Sequence, residues 1–180
     1  MLIAHQKRQE NIAEYLLYMF QVEDLIRSFN FNIESIDKNL ISHYKEDYAV
    51  KRDIREWYRS LIGMMVENNM QDSGHIPLLS GLINSLNDVH LSFLQKKNEN
   101  EYRDLYTTCR PAIEELRIKS GNTDASDIEV CLNGLYGLLL LRIQKKTINP
   151  ETESAFENIS RLLAMVSQRF HEVEAGIKEF

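Results

Sequence analysis

Apolar positions recur along this chain at three- and four-residue intervals almost from end to end, the spacing of helices that bury one side. Ile12, Tyr15, Leu16, Met19, Val22, Ile26 and Phe29 set up a first helix over about 4–29. Phe31-Asn32 interrupts it, and Asn32 suits the N-cap of a second helix from about Ile33 towards Met70. That helix carries Ile36, Leu40, Tyr44, Ile54, Trp57, Tyr58, Leu61 and Met65 on one face, but His43, Asp47 and Lys51 dilute the same face. The helix is therefore expected to bend or to leave the bundle there, and the three polar residues either line a groove or sit on a solvated turn. Gln71 to Pro77 is a turn by composition, with Gly74 fit for a left-handed helix stop and Pro77 for a first helical turn.

From Leu78 a third helix runs through Leu79, Leu82, Ile83, Leu86, Val89, Phe93 and Leu94. Lys96 to Glu101 is polar all round, which fits either a solvated extension or a break. Tyr102, Leu105, Tyr106, Cys109, Ile113 and Leu116 then keep the helical period straight through Pro111. Pro111 lies opposite that stripe, so a kinked but uninterrupted helix is expected. Ser120-Gly121-Asn122 stops it, Ser126 with Glu129 has the form of a capping box, and Asn149-Pro150 opens a last helix. The stripe of that helix, Ala155 to Ile177, predicts a docked C-terminus. No strand-like alternation, repeat or low-complexity tract interrupts the pattern.

The stretch Ser126 to Ile143, SDIEVCLNGLYGLLLLRI, differs from the others because its second half is apolar on every side. A helix without a polar face belongs inside, so this one is expected to be the central element. Gly134 and Gly137 there cost helix propensity, roughly 1 kcal/mol each against Ala, and read as points of close helix approach. Asn133, Arg142, Lys145 and Lys146 break the run too soon for a transmembrane span. The expected fold is an all-α bundle of five to six helices, one domain over 1–180, around a central apolar helix at about 126–146.

Composition narrows the function without naming it. A formal charge of −6 and a pI near 5.4 argue against nucleic acid as the partner. Cys109 and Cys131 lack zinc or redox spacing and are expected to be reduced, buried thiols. The N-terminal stretch has no secretory apolar core, so a cytoplasmic location is expected. There is no Gly-rich phosphate loop, no Gly-x-Ser-x-Gly elbow, and neither Glu-x-x-His nor His-x-x-x-His at any of the five histidines. No metal and no cofactor are expected.

Three ionisable residues stand where a core should be dry. Glu23 falls near the centre of the first helix's apolar arc, Arg27 four residues on at its edge, and His90 among Leu86, Phe93 and Leu94. An unpaired buried carboxylate costs several kcal/mol, so Glu23 and His90 are expected to meet across the core, with Arg27 joining them. The plainer role for such a cluster is a register-fixing ion pair, and the sharper one is a ligand-binding or catalytic pocket. Asp24 is expected to point outward as a solvated charge. The eight tyrosines supply either an interface or core edges with a wet hydroxyl.

Three stretches in fixed order, IAEYLLYMFQVEDLIRSF at Ile12 to Phe29, WYRSLIGMM at Trp57 to Met65 and GLYGLLLLRIQKKTINPET at Gly134 to Thr152, resemble one family. It is a family of bacterial proteins, known chiefly from the Bacteroidetes, that carries only the label of a domain of unknown function. The resemblance extends over the whole chain and implies a small cytoplasmic helical protein with no assigned activity and no catalytic residues to carry over. Rich helix surface and few reactive groups favour a non-enzymatic interaction or scaffolding protein that self-associates as a homodimer. The alternative is a small-ligand-binding or enzymatic bundle with Glu23, Arg27 and His90 in a polar core pocket. A closed core supports the first reading, and a cavity reaching those side chains supports the second.

Overall fold

The structure, a computed structural model, describes residues 2–177, and among them every regular element is helical. Helices α1 (Leu2–Glu10) and α2 (Ile12–Ser28) are followed by α3 (Ile33–Asn39), a 3₁₀ turn at Ile41–His43 and α4 (Tyr48–Glu67). Then come α5 (Pro77–Gln95), α6 (Asn100–Ser120), α7 (Asp127–Ile143) and α8 (Pro150–Glu174). The all-α class is as expected, but eight α-helices replace the five or six read from the sequence. Five of them, α2, α5, α6, α7 and α8, pack on one another as a bundle, while α1, α3 and α4 gather around α2 and each other.

The additional helices arise at polar residues that cap instead of continuing. Asn11 leaves the helical conformation, and its side chain accepts from the amides of Ala13 and Glu14, dividing the expected first helix into α1 and α2. Asp47 does the same for Val50 at 2.9 Å, so the second helix neither bends nor continues but ends, and α4 begins afresh. The three residues that diluted its face are used locally. Asp47 is the cap, Lys51 donates to the Ser42 carbonyl at 2.8 Å, and His43 lies beside the Ser42 hydroxyl. The stretch after Gln95 is a break rather than an extension. Arg103 reaches back to the carbonyls of Lys96 and Lys97 and folds the turn.

Other expectations hold in detail. Asn32, Ser126 and Asn149 cap α3, α7 and α8 through their side chains, Gly121 ends α6 with a left-handed φ of 70°, and Pro77 opens α5. Gly74 does take a left-handed φ of 86°, but within the loop; α4 has already ended at Glu67, where Asn69, at φ 58°, makes the left-handed stop. Helix α6 passes uninterrupted through Pro111, which is exposed, so its missing amide bond is lost on the wet side.

Two further expectations fail. Helix α7 touches α2, α5, α6 and α8 but shares that position with α8, and it is not the most buried element. Nine of the 17 residues of α2 are buried against five of the 17 in α7. Burial thins along α7: four of its five buried residues fall in its first six positions, Leu138 is the last, and Leu141 and Ile143 are 44% and 64% exposed. The chain runs out of neighbours there, because α6 has ended and α8 is only beginning. The C-terminal stripe also stops early: Phe170 is buried, Val173 is half-buried, and Ile177, beyond the end of α8, is exposed.

Candidate functional site

Glu23 and His90 are both fully buried, as their positions in the apolar arcs imply, but each has its own partners. The Glu23 carboxylate receives the His75 Nδ1 proton at 2.5 Å on Oε2 and the Ile76 backbone amide at 2.9 Å on Oε1. A carboxylate facing Nδ1 can only accept, so that nitrogen carries the proton. The His75 ring is stacked on Phe20 with centroids 3.8 Å apart and remains a quarter exposed. Arg27, one turn further along α2, donates to the carbonyls of Met70 and Gly74 in the same loop and pairs with Asp24. The expected Glu23–Arg27 pair is therefore replaced by two anchors that hold the α4–α5 loop to α2. Asp24 is not simply solvated, because it also accepts the Tyr136 hydroxyl at 2.6 Å and so ties α2 to α7.

His90 belongs to a second network at the start of α7. Its Nδ1 is hydrogen-bonded to the Tyr102 hydroxyl at 2.6 Å, and Nε2 faces Asp127 Oδ2 at 3.7 Å, too long for a hydrogen bond. Nε2 is a buried nitrogen without a hydrogen-bond partner. Asp127 also accepts from Tyr106 at 2.7 Å and is clasped by Arg117, which reaches the Ala125 carbonyl as well. The neighbouring His90 imidazole holds the Asp127 carboxyl down at about 2, with Tyr106 and Arg117 adding to it against the opposing push of burial. Burial, the Asp127 hydrogen bond and its charge push Tyr106 up to about 12.

Glu23 with Arg27 thus serves one loop and His90 serves a different helix junction, and the structure does not bring the three together. Reading the sequence missed His75, Asp127, Tyr102 and Arg117 as partners. His75 sat in a stretch recognised only as a turn, and the one available signal was Ile76, an apolar residue beside it that proves fully buried. No polar side chain of either network lines the two hollows described below, and the described residues hold no group of three His, Cys, Asp or Glu that could grip a metal ion. Cys109 and Cys131 are free and buried; burial pushes the Cys109 thiol up to about 11 and that of Cys131 higher still.

The open half of α7 forms the floor of a mostly apolar hollow of about 580 Å³, walled by Leu116 at the end of α6 and Phe156 near the start of α8. A Cβ at Gly134 would stand 2.8 Å from Leu116 Cδ1 and 3.2 Å from Phe156 Cε1, so this glycine is a packing residue as expected. Gly137 is not: nothing lies within 4 Å of where its Cβ would be. A second hollow, of about 700 Å³, lies between α1, α2 and the start of α4.

Fold and site together define an all-helical protein with two internal polar clasps, a helix α7 whose apolar C-terminal end is exposed and, among the described residues, no helix long and apolar enough to cross a membrane. It belongs to the family described as a domain of unknown function, DUF4924, whose model matches residues 1–177. No curated protein and no solved structure matches the chain.

Proposed function

We propose that this is a single-domain, non-enzymatic interaction or scaffolding protein of the bacterial cytoplasm that pairs with a second copy of itself through the open face of α7. The observation that carries the reading is the apolar C-terminal end of α7, where Gly137 and Leu140 are only half-covered and Leu141 and Ile143 are 44% and 64% exposed, an apolar surface of the kind that proteins keep for a partner. The face is its own complement. Asn133, Gly137, Leu140 and Gln144 share one side of the helix at helical spacing, with Leu141 at its edge. In an antiparallel pair related by a two-fold axis, Leu140 of each copy enters the space left at Gly137 of the other, and Asn133 meets Gln144 amide to amide. Two free, buried thiols support a reducing compartment. The pocketed alternative is disfavoured because Glu23, Arg27 and His90 are each engaged by groups of the protein itself.

Sedimentation equilibrium at micromolar to tens-of-micromolar concentration tests the reading. A mass twice that of the 21.1 kDa chain, reduced to a single chain by Leu140→Glu with the circular dichroism unchanged, is expected. A single-chain mass for the unaltered protein throughout this range overturns it.

A further inference from the structure

The hollow between α1, α2 and α4 owes its existence to two interruptions of helical periodicity that meet in space. The Asn11 cap lets α1 turn away from the line of α2, and the break before Asp47 sends Tyr44, Lys45 and Glu46 past it as non-helical chain. The hollow's volume, about 700 Å³, falls within the range of small-molecule sites, and its exposed lining is largely apolar. Ile3, Val50 and Ile54 supply aliphatic wall, Ile54 being almost fully buried, and Tyr18 and Tyr44 supply aromatic wall. Behind them Tyr58 is buried against Tyr44 and Tyr18. Burial and the Tyr44 phenol push Tyr18 up to about 12, and burial with both neighbouring phenols raises Tyr58 further, so these hydroxyls stay neutral at physiological pH.

The charged groups on the wall give the ligand its sign. Among the described residues Glu46 makes no ion pair, and Asp53 is met by an exposed Arg52 at 3.4 Å. Among the described lining residues these two carboxylates stand against Lys45, with His5 and the two phenols completing the titratable groups. Phenol rings in the lining next to two carboxylates suit a protonated nitrogen attached to an apolar body. We infer that this hollow is a binding site for a small hydrophobic amine, its ring or chain against Ile3, Val50 and Ile54 and its ammonium between the Tyr18 and Tyr44 rings and the Glu46 and Asp53 carboxylates. The site lies apart from α7, so it is independent of the self-pairing proposed above.

The test uses three isosteric probes on the full chain, 2-phenylethylamine, 2-phenylethanol and phenylacetate, with amide chemical shifts to locate binding and calorimetry to measure it. The amine is expected to bind at least about fivefold more tightly than the alcohol, and the carboxylate more weakly than both. Shifts should be confined to residues of α1, α2 and 44–54. Tyr44→Leu should weaken all three probes. Glu46→Gln with Asp53→Asn, at exposed positions where the fold is not at stake, should abolish the preference for the amine while leaving the alcohol unchanged. Equal or tighter binding of the carboxylate, shifts centred on α7, or no saturable binding of any probe would each overturn the inference.

Discussion

Removing the Glu23 carboxylate tests how the interior is held together. Glu23 is fully buried and satisfied twice, by the His75 imidazole at 2.5 Å and the Ile76 amide at 2.9 Å. Glu23→Leu leaves the Ile76 amide buried without an acceptor, at about 1–3 kcal/mol, while the quarter-exposed His75 recovers part of its loss from water. His75→Phe keeps a ring stacked on Phe20 but strips the buried carboxylate of its stronger partner, at roughly 3–5 kcal/mol. The double variant has no buried carboxylate to desolvate, so it should be more stable than His75→Phe alone, with a coupling of about 2–3 kcal/mol. Glu23→Leu combined with His90→Leu should instead be additive within about 0.5 kcal/mol, because the two residues share no partner. Urea unfolding followed by circular dichroism measures both cycles. Additivity in the first and strong coupling in the second would refute this account of the core.

Three further outcomes follow from the same geometry. Asp127 titrates at about 2 rather than its usual 3.8, and a depressed carboxyl adds stability above its unfolded pKa and loses it as pH falls through the folded one. About 2 kcal/mol should therefore disappear between roughly pH 5 and pH 2, and Asp127→Asn should flatten that limb of a pH series of urea midpoints. Gly137→Ala should raise the urea midpoint of the dissociated chain, by up to about 1 kcal/mol of helix propensity, whereas Gly134→Ala should gain less or lose stability because Leu116 must give way. Cys109 and Cys131 should resist an aromatic disulfide reagent at pH 8 in the native protein and react promptly in denaturant; fast labelling without denaturant would contradict their burial.

Wherever burial follows from periodicity alone, the sequence was sufficient. The all-helical class, most apolar stripes, the caps at Asn32, Ser126 and Asn149, the continuity of α6 through Pro111, and the burial of Glu23, His90 and both thiols all depend on a residue's own neighbours in the chain. The breaks at Asn11 and Asp47 were legible in principle, since both residues are good caps, but a long apolar stripe on either side concealed them.

Tertiary structure decided what lies opposite what. A wheel shows that Glu23 needs a partner, yet it cannot separate His90, in a helix, from His75, in a loop 52 residues away that folds back over α2. It marks α7 as apolar all round, but whether neighbours exist to cover each side depends on where α6 stops and α8 starts. For the same reason Gly134 and Gly137, three residues apart and identical in sequence, differ. Leu116 and Phe156 close over the first, and nothing reaches the second. The hollow beside Tyr18 and Tyr44 was likewise beyond the sequence, because it is bounded by two chain interruptions that only the folded arrangement brings together.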